Sequence, residues 1–172
     1  MKFIIKPLVA LCLVAAAGSS FAVQKDITVT ANVDASLDMT QADGSALPKA
    51  VEMQYIPGSG LSPYSVQSKI WSNDVSSTSG DIHMKLVSTA QLINTTGAEG
   101  TAVPLTVSWG DDALATDKDV DLAVSDIFPS GDSTTGSVAR ALTIAQTTKG
   151  ALDSGNYQGV VSIYLYQDAA TQ

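Results

Sequence analysis

Cysteine is almost missing from this chain. The single one, Cys12, lies inside an apolar run near the N-terminus and follows Leu11, where lipid attachment would want a small residue. Histidine also occurs once, as His83. One imidazole with no thiol and no second histidine beside it builds neither a zinc site nor a Cys–His pair within one chain. No Gly-x-Ser-x-Gly elbow is present to present a nucleophilic serine. Basic side chains are few, 9 against 17 acidic ones, for a formal net charge of −8. An acidic surface repels nucleic acid and anionic lipid, so neither is expected as a partner. No apolar stretch reaches the roughly 20 residues a spanning helix needs, so stable membrane insertion is not expected either. The reading is of a protein that is not an enzyme and has no cofactor.

The first 22 residues read as a removable export signal. Lys2 and Lys6 give a positive start, residues 8–17 form a short apolar core, and Ser20-Phe21-Ala22 is a small-x-small cleavage pattern. The cut is placed between Ala22 and Val23. It would leave 150 residues, enough for one domain with a sizeable core. Cys12 would leave with the signal, so disulfides cannot contribute to stability. Lys2 and Lys6 would leave too, so seven of the nine basic residues would face all 17 acidic ones.

The mature chain is full of period-two alternation, the mark of half-buried strands. Val51, Met53 and Tyr55 alternate with polar neighbours. So do Tyr64, Val66 and Ile70, then Ile82, Met84 and Leu86, and then Val103, Leu105, Val107 and Trp109. Leu142 and Ile144 continue the pattern. In the last run, residues 157–166, Tyr157, Val161, Ile163 and Leu165 share one face. Turn clusters rich in Gly, Asp, Asn and Ser separate these runs. Pro104 inside a run predicts an edge strand or a bulge. Residues 117–124 fit either a short helical turn or another strand. The economical fold is all-β, an antiparallel sandwich of immunoglobulin type, with no second domain.

The most informative segment follows the export cut: Val23-Gln24-Lys25-Asp26-Ile27-Thr28-Val29-Thr30-Ala31-Asn32-Val33-Asp34. Ile27, Val29, Ala31 and Val33 point one way. Twelve extended residues reach roughly 40 Å. This segment is either the first strand of its own sheet or a strand donated to a neighbouring subunit. The alternation runs on through Leu37 and Met39, so residues 23–39 exceed the usual strand length. That favours two strands in series, one given away and one kept, with a hinge near Asp34-Ala35-Ser36. The expected organisation is a signal at residues 1–22, a donor extension at residues 23–35 and a sandwich domain at residues 36–172.

Residues 23–34, together with Gln41-Ala42-Asp43-Gly44-Ser45-Ala46-Leu47-Pro48, Pro104-Leu105-Thr106-Val107-Ser108-Trp109-Gly110 and Gly155-Asn156-Tyr157-Gln158-Gly159-Val160-Val161-Ser162, closely resemble major pilins of the alternate chaperone–usher pathway. These are the subunits related to colonization factor antigen I and to cable pili. The resemblance implies an immunoglobulin-like domain lacking one strand. A periplasmic chaperone would lend that strand, and an outer-membrane usher would exchange it for the extension of the next copy. The chain would then polymerise with itself into a surface fimbria that supports adhesion to host cells. A separate tip adhesin would be a further partner. Carried over by position, Val23, Ile27, Val29, Ala31 and Val33 are the donor residues. Tyr157, Val161, Ile163 and Leu165 would face the acceptor groove. Some relatives have Pro where this chain has Ala35, which leaves the hinge freer. The rival readings are a stand-alone secreted sandwich that binds sugar or protein, and a tip adhesin. The second is disfavoured because such proteins carry an extra binding domain.

The remaining polar groups read as surface. His83 falls on the polar face beside Lys85. Asp117, Asp119 and Asp121 read as a solvated acidic face rather than a calcium loop, since the loop glycine and terminal Glu of a hand-type site are missing. Trp71 and Trp109 read as core or rim packing. Tyr164 and Tyr166 lie opposite Ile163 and Leu165, where they would line an interface or cover the second face of a sheet. Asn94-Thr95-Thr96 fits a glycosylation acceptor and reads as a loop.

Overall fold

A computed structural model describes residues 37–76, 78–96 and 102–169. Twelve strands and one helical turn lie among them: β1 (Leu37–Gln41), β2 (Tyr55–Ile56), β3 (Gly60–Leu61), β4 (Tyr64–Ser72), β5 (Ile82–Leu86), β6 (Gln91–Asn94), β7 (Ala102–Trp109), β8 (Asp112–Leu114), β9 (Val120–Leu122), α1 (Val124–Ile127), β10 (Arg140–Gln146), β11 (Tyr157–Gln158) and β12 (Ile163–Gln167). Every pairing is antiparallel. The larger sheet runs β1-β4-β10-β7-β6-β11, with β8 also on β7. The second sheet is β12-β5-β9, and β2 and β3 form a small hairpin. This is the immunoglobulin-like antiparallel sandwich expected from the alternation, and it is incomplete.

The two sheets are joined by one long ribbon. β5 pairs with β12 and β6 pairs with β11, so two chain segments cross together from the second sheet to the first. The Val87 amide donates to the Ser162 carbonyl at 2.9 Å between the two pairings. The segment after β11 lies tightly against β6. A Cβ on Gly159 would collide with the Gln91 carbonyl oxygen, which is why glycine stands there.

Period two sorts the side chains. In β4, Ser68, Ile70 and Ser72 are buried while Ser65 and Gln67 face water. In β5, Ile82, Met84 and Leu86 are buried. In β7, Val103, Leu105, Val107 and Trp109 are. These faces meet with Leu142, Ile127 and Phe128 to form a single core. Trp109 is fully buried at its centre. Its indole N–H donates to Ser68 Oγ at 3.0 Å, and Ser68 Oγ donates on to the Arg140 carbonyl at 3.2 Å. The Arg140 guanidinium stacks 4.9 Å from the Trp109 ring and is held by Asp112 at 3.1 Å. A buried indole thus has its one donor matched.

Three local expectations are corrected, and one left open is resolved. Residues 51–54 form no strand, although Tyr55 enters β2. The chain returning from β1 makes one bridge, Thr40 to Ala46, and two residues later reaches Pro48. Pro48 has no N–H for the next rung, so the segment leaves the sheet. Pro104 is not on an edge, because β7 has β10 on one flank and β6 and β8 on the other. Its carbonyl accepts from the Thr147 amide, just past the last β10 residue, so its missing N–H falls where that ladder ends. Residues 117–124 supply both alternatives in turn, β9 and then the start of α1. The final run is broken into β11 and β12 by residues 159–162.

Candidate subunit interface

Among the described residues the two sheets do not close on one side. β1 is the last strand of the larger sheet and β12 the last of the smaller one. Among the described residues no strand pairs with the outer edge of β12. A groove of about 1080 Å³ opens between these two edges. Its floor is the exposed side of the core, including Leu92, Leu105, Leu142 and Ile144. One wall is β1, through Leu37 and Met39, continued by residues 47–53. The other is residues 155–161 with Ile163, Tyr164 and Leu165. Charge is sparse: Asp38, Lys49 and Glu52 are the charged side chains on its lining.

The sequence places these walls for simple reasons. In β12, Ile163 and Leu165 face inward and pair in register with Leu86 and Met84 of β5. They pack against the core from one side and stay partly exposed toward the groove. Val161 does the same. Tyr157, in β11, is half-buried and its hydroxyl donates to the Asp153 carbonyl at 3.0 Å. All four residues expected at an acceptor groove therefore line one groove. Gln167, the last residue of β12, anchors that strand off the groove lining. Its Nε2 donates to the Asp74 and Gly80 carbonyls at 2.8 and 3.0 Å, and its Oε1 accepts from Ser72 at 2.8 Å. This ties the end of β12 to the end of β4. Val160 is 75% exposed and Val51 40%, both on the groove lining. The channel is mostly apolar and lies beside a strand edge that no described residue pairs with.

The expected donor residues Val23, Ile27, Val29, Ala31 and Val33 lie outside the described residues, as do the expected cleavage pair Ala22 and Val23 and the expected hinge at Ala35. Sequence reasoning missed the wall formed by Leu47 and Met53. Leu37 and Met39 had shown their alternation, but nothing local said that β1 would end a sheet.

The outer face of the second sheet carries the polar groups. His83 is not simply solvated: its side chain is only 14% exposed. Nδ1 lies 2.8 Å from Asp121 Oδ1 and Nε2 lies 3.0 Å from Asp168 Oδ2. The ring stacks on Tyr166 at 4.7 Å. Burial pulls the His83 pKa down, but the hydrogen bonds and charges of Asp168 and Asp121 outweigh it, and the net value lies above the ordinary one. Lys85 pairs with Asp119 at 3.0 Å. That hydrogen bond holds the lysine above and the aspartate below their usual values. Of the three alternate aspartates only Asp117 fits a free, solvated position; Asp119 holds the Lys85 ammonium and Asp121 faces the His83 imidazole. Tyr164, 50% exposed, flanks Tyr166 at 5.6 Å.

Comparison with known proteins agrees with this architecture. The family model described as CS1 type fimbrial major subunit matches residues 23–166. The chain is 37% identical over 151 residues to a CFA/I fimbrial subunit of Escherichia coli, covering 86% of each chain. It is 32% identical over 151 residues to a CS1 fimbrial subunit of Escherichia coli, covering 84% of this chain and 85% of that one. Among solved structures, the CooA pilin subunit from enterotoxigenic Escherichia coli superposes with a TM-score of 0.63 at 28% identity, over 79% of this chain and 90% of that one. This all-β sandwich, matched by the family model over residues 23–166, therefore belongs to the CS1-type fimbrial major subunits, structural proteins that associate with their own copies in a fimbria at the cell surface.

Proposed function

We propose that copies of this subunit are joined by donor-strand exchange, with residues 23–35 of one copy filling the groove of the next. The carrying observation is the apolar groove of about 1080 Å³ beside the unpaired edge of β12. Ile27, Val29, Ala31 and Val33 of the donor would face the groove, against Tyr157, Val161, Ile163 and Leu165. Each large aliphatic side chain buried there is worth roughly 1.5–3 kcal/mol, so Ile27, Val29 and Val33 together supply about 5–9 kcal/mol. Backbone hydrogen bonds to the free edge of β12 add about 0.5–1.5 kcal/mol each. The Thr28, Thr30 and Asn32 side chains would face water.

A subunit with this groove empty exposes apolar surface and an unpaired edge, a hazard during export. The reading therefore includes a periplasmic chaperone that covers the groove and an outer-membrane usher where the cover is exchanged. It also includes removal of residues 1–22 between Ala22 and Val23. Adhesion to a host surface would be carried by the assembled fimbria, with a tip adhesin as a separate protein.

The test transplants residues 23–35 to follow Gln172 through a short flexible linker. The variant is expected to be a soluble monomer that resists heat and needs no chaperone. A transplanted variant that aggregates like the chain lacking residues 23–35 would overturn the proposal. A normal chain that folds as a stable monomer by itself would favour a stand-alone binding module.

A further inference from the structure

His83 makes two contacts that a neutral imidazole cannot both satisfy. A neutral ring carries one N–H, so one nitrogen would turn a lone pair toward a carboxylate. Here both nitrogens face carboxylates, Asp121 at 2.8 Å and Asp168 at 3.0 Å. Only the imidazolium donates to both. The three groups come from three different places in the second sheet. His83 is on the central strand β5, Asp121 is on β9, and Asp168 directly follows β12. Tyr166, directly opposite His83 in the β5–β12 register, covers the ring face.

We infer that His83 is a protonation-dependent clasp that ties β9, β5 and β12 together on their outer face, and so holds in place the strand that edges the groove. The consequence for subunit joints rests on the donor-strand reading; the clasp itself does not. The other charged groups facing the ring are accounted for. Lys85, two residues along β5, is the like charge that would oppose an imidazolium, but its ammonium lies 3.0 Å from Asp119. It also sits 5.7 Å over the Tyr166 ring. The Tyr166 hydroxyl is held above its ordinary value, by desolvation first and by the charge of Asp119 second, so it stays neutral.

The sign follows from the raised native value of His83. The clasp is fully made below the unfolded histidine value of about 6.5. It is lost as pH rises through the higher native midpoint. Every pH unit between these two midpoints is worth about tenfold in the equilibrium that frees β12. Fimbriae should accordingly come apart more readily in alkaline than in mildly acidic medium.

The test uses assembled fimbriae carrying isotope-labelled histidine. His83 is the one histidine in the sequence, so solid-state NMR reads a single imidazole. Its titration midpoint is expected above the ordinary histidine value and is expected to fall in Asp168→Asn and Asp121→Asn fimbriae. In parallel, the rate of subunit release in warm detergent is expected to rise through that midpoint in the normal protein. In His83→Gln fimbriae it should stay flat. A midpoint at or below the ordinary value would overturn the clasp, as would an unchanged pH slope in His83→Gln. If none of these variants assembles, the midpoint in normal fimbriae decides alone. Failure of donor-strand exchange would be seen separately, as normal fibre growth from a Val29→Asp subunit, and would leave the imidazole titration unaltered.

Discussion

Leu165→Ala offers a direct measure of what the groove contributes to a subunit joint. Leu165 sits in β12, opposite the fully buried Met84 in register, with one side on the core and the other toward the groove. Truncation removes three carbon groups at about 0.8 kcal/mol each, roughly 2.4 kcal/mol if the side chain is fully covered. In the open subunit Leu165 is already mostly buried, so roughly two-thirds or more of that loss falls on the subunit before any partner arrives. The remainder, at most about 0.8 kcal/mol, falls on the joint and weakens it up to about fourfold. Purified fimbriae heated in detergent, with released monomer followed on a gel, report this difference. The comparison protein is Val87→Ala, because Val87 is 64% exposed and lies off the groove lining. Surface changes of that kind stay within about 0.5 kcal/mol. If Leu165→Ala fimbriae release subunits no faster than Val87→Ala or the unaltered protein, the groove is not where copies meet.

Three further outcomes follow from the same reasoning. Ser68→Ala leaves the buried Trp109 indole N–H without its acceptor and should cost about 1–3 kcal/mol in denaturant unfolding of the strand-transplanted monomer. Gly159→Ala drives a methyl into the Gln91 carbonyl, so residues 159–162 must move off β6. It should cost about 1–3 kcal/mol and reduce the number of fimbriae per cell, whereas Gly44→Ala, which meets no neighbouring atom, should disturb only its own turn. Val29→Asp should stop fibre growth while the subunit–chaperone complex still accumulates, because a carboxylate entering the groove loses its water without gaining a partner; co-purification and electron microscopy together read both halves.

Much of the molecule was legible in residue order because a strand's two faces are set by its own side chains. The burial of Ile70, Ile82, Met84, Val107 and Trp109 follows from period two alone, and so does the inward direction of Ile163 and Leu165. Turn glycines and the scarcity of cysteine and histidine likewise spoke for themselves. What local pattern does not encode is which strand lies beside which. Residues 51–54 alternate as well as any strand, yet have no ladder, because Pro48 ends the bridge that began at Ala46. Pro104 breaks the rule for central strands because its silent side points beyond the end of β10. The groove exists only because β1 ends one sheet and β12 ends the other, which depends on long-range pairing. His83 became more than a polar-face residue only when β9 and the end of β12 brought Asp121 and Asp168 to its two nitrogens. Side-chain periodicity is a property of the chain; edges, grooves and shared protons are properties of neighbours that only folding brings together.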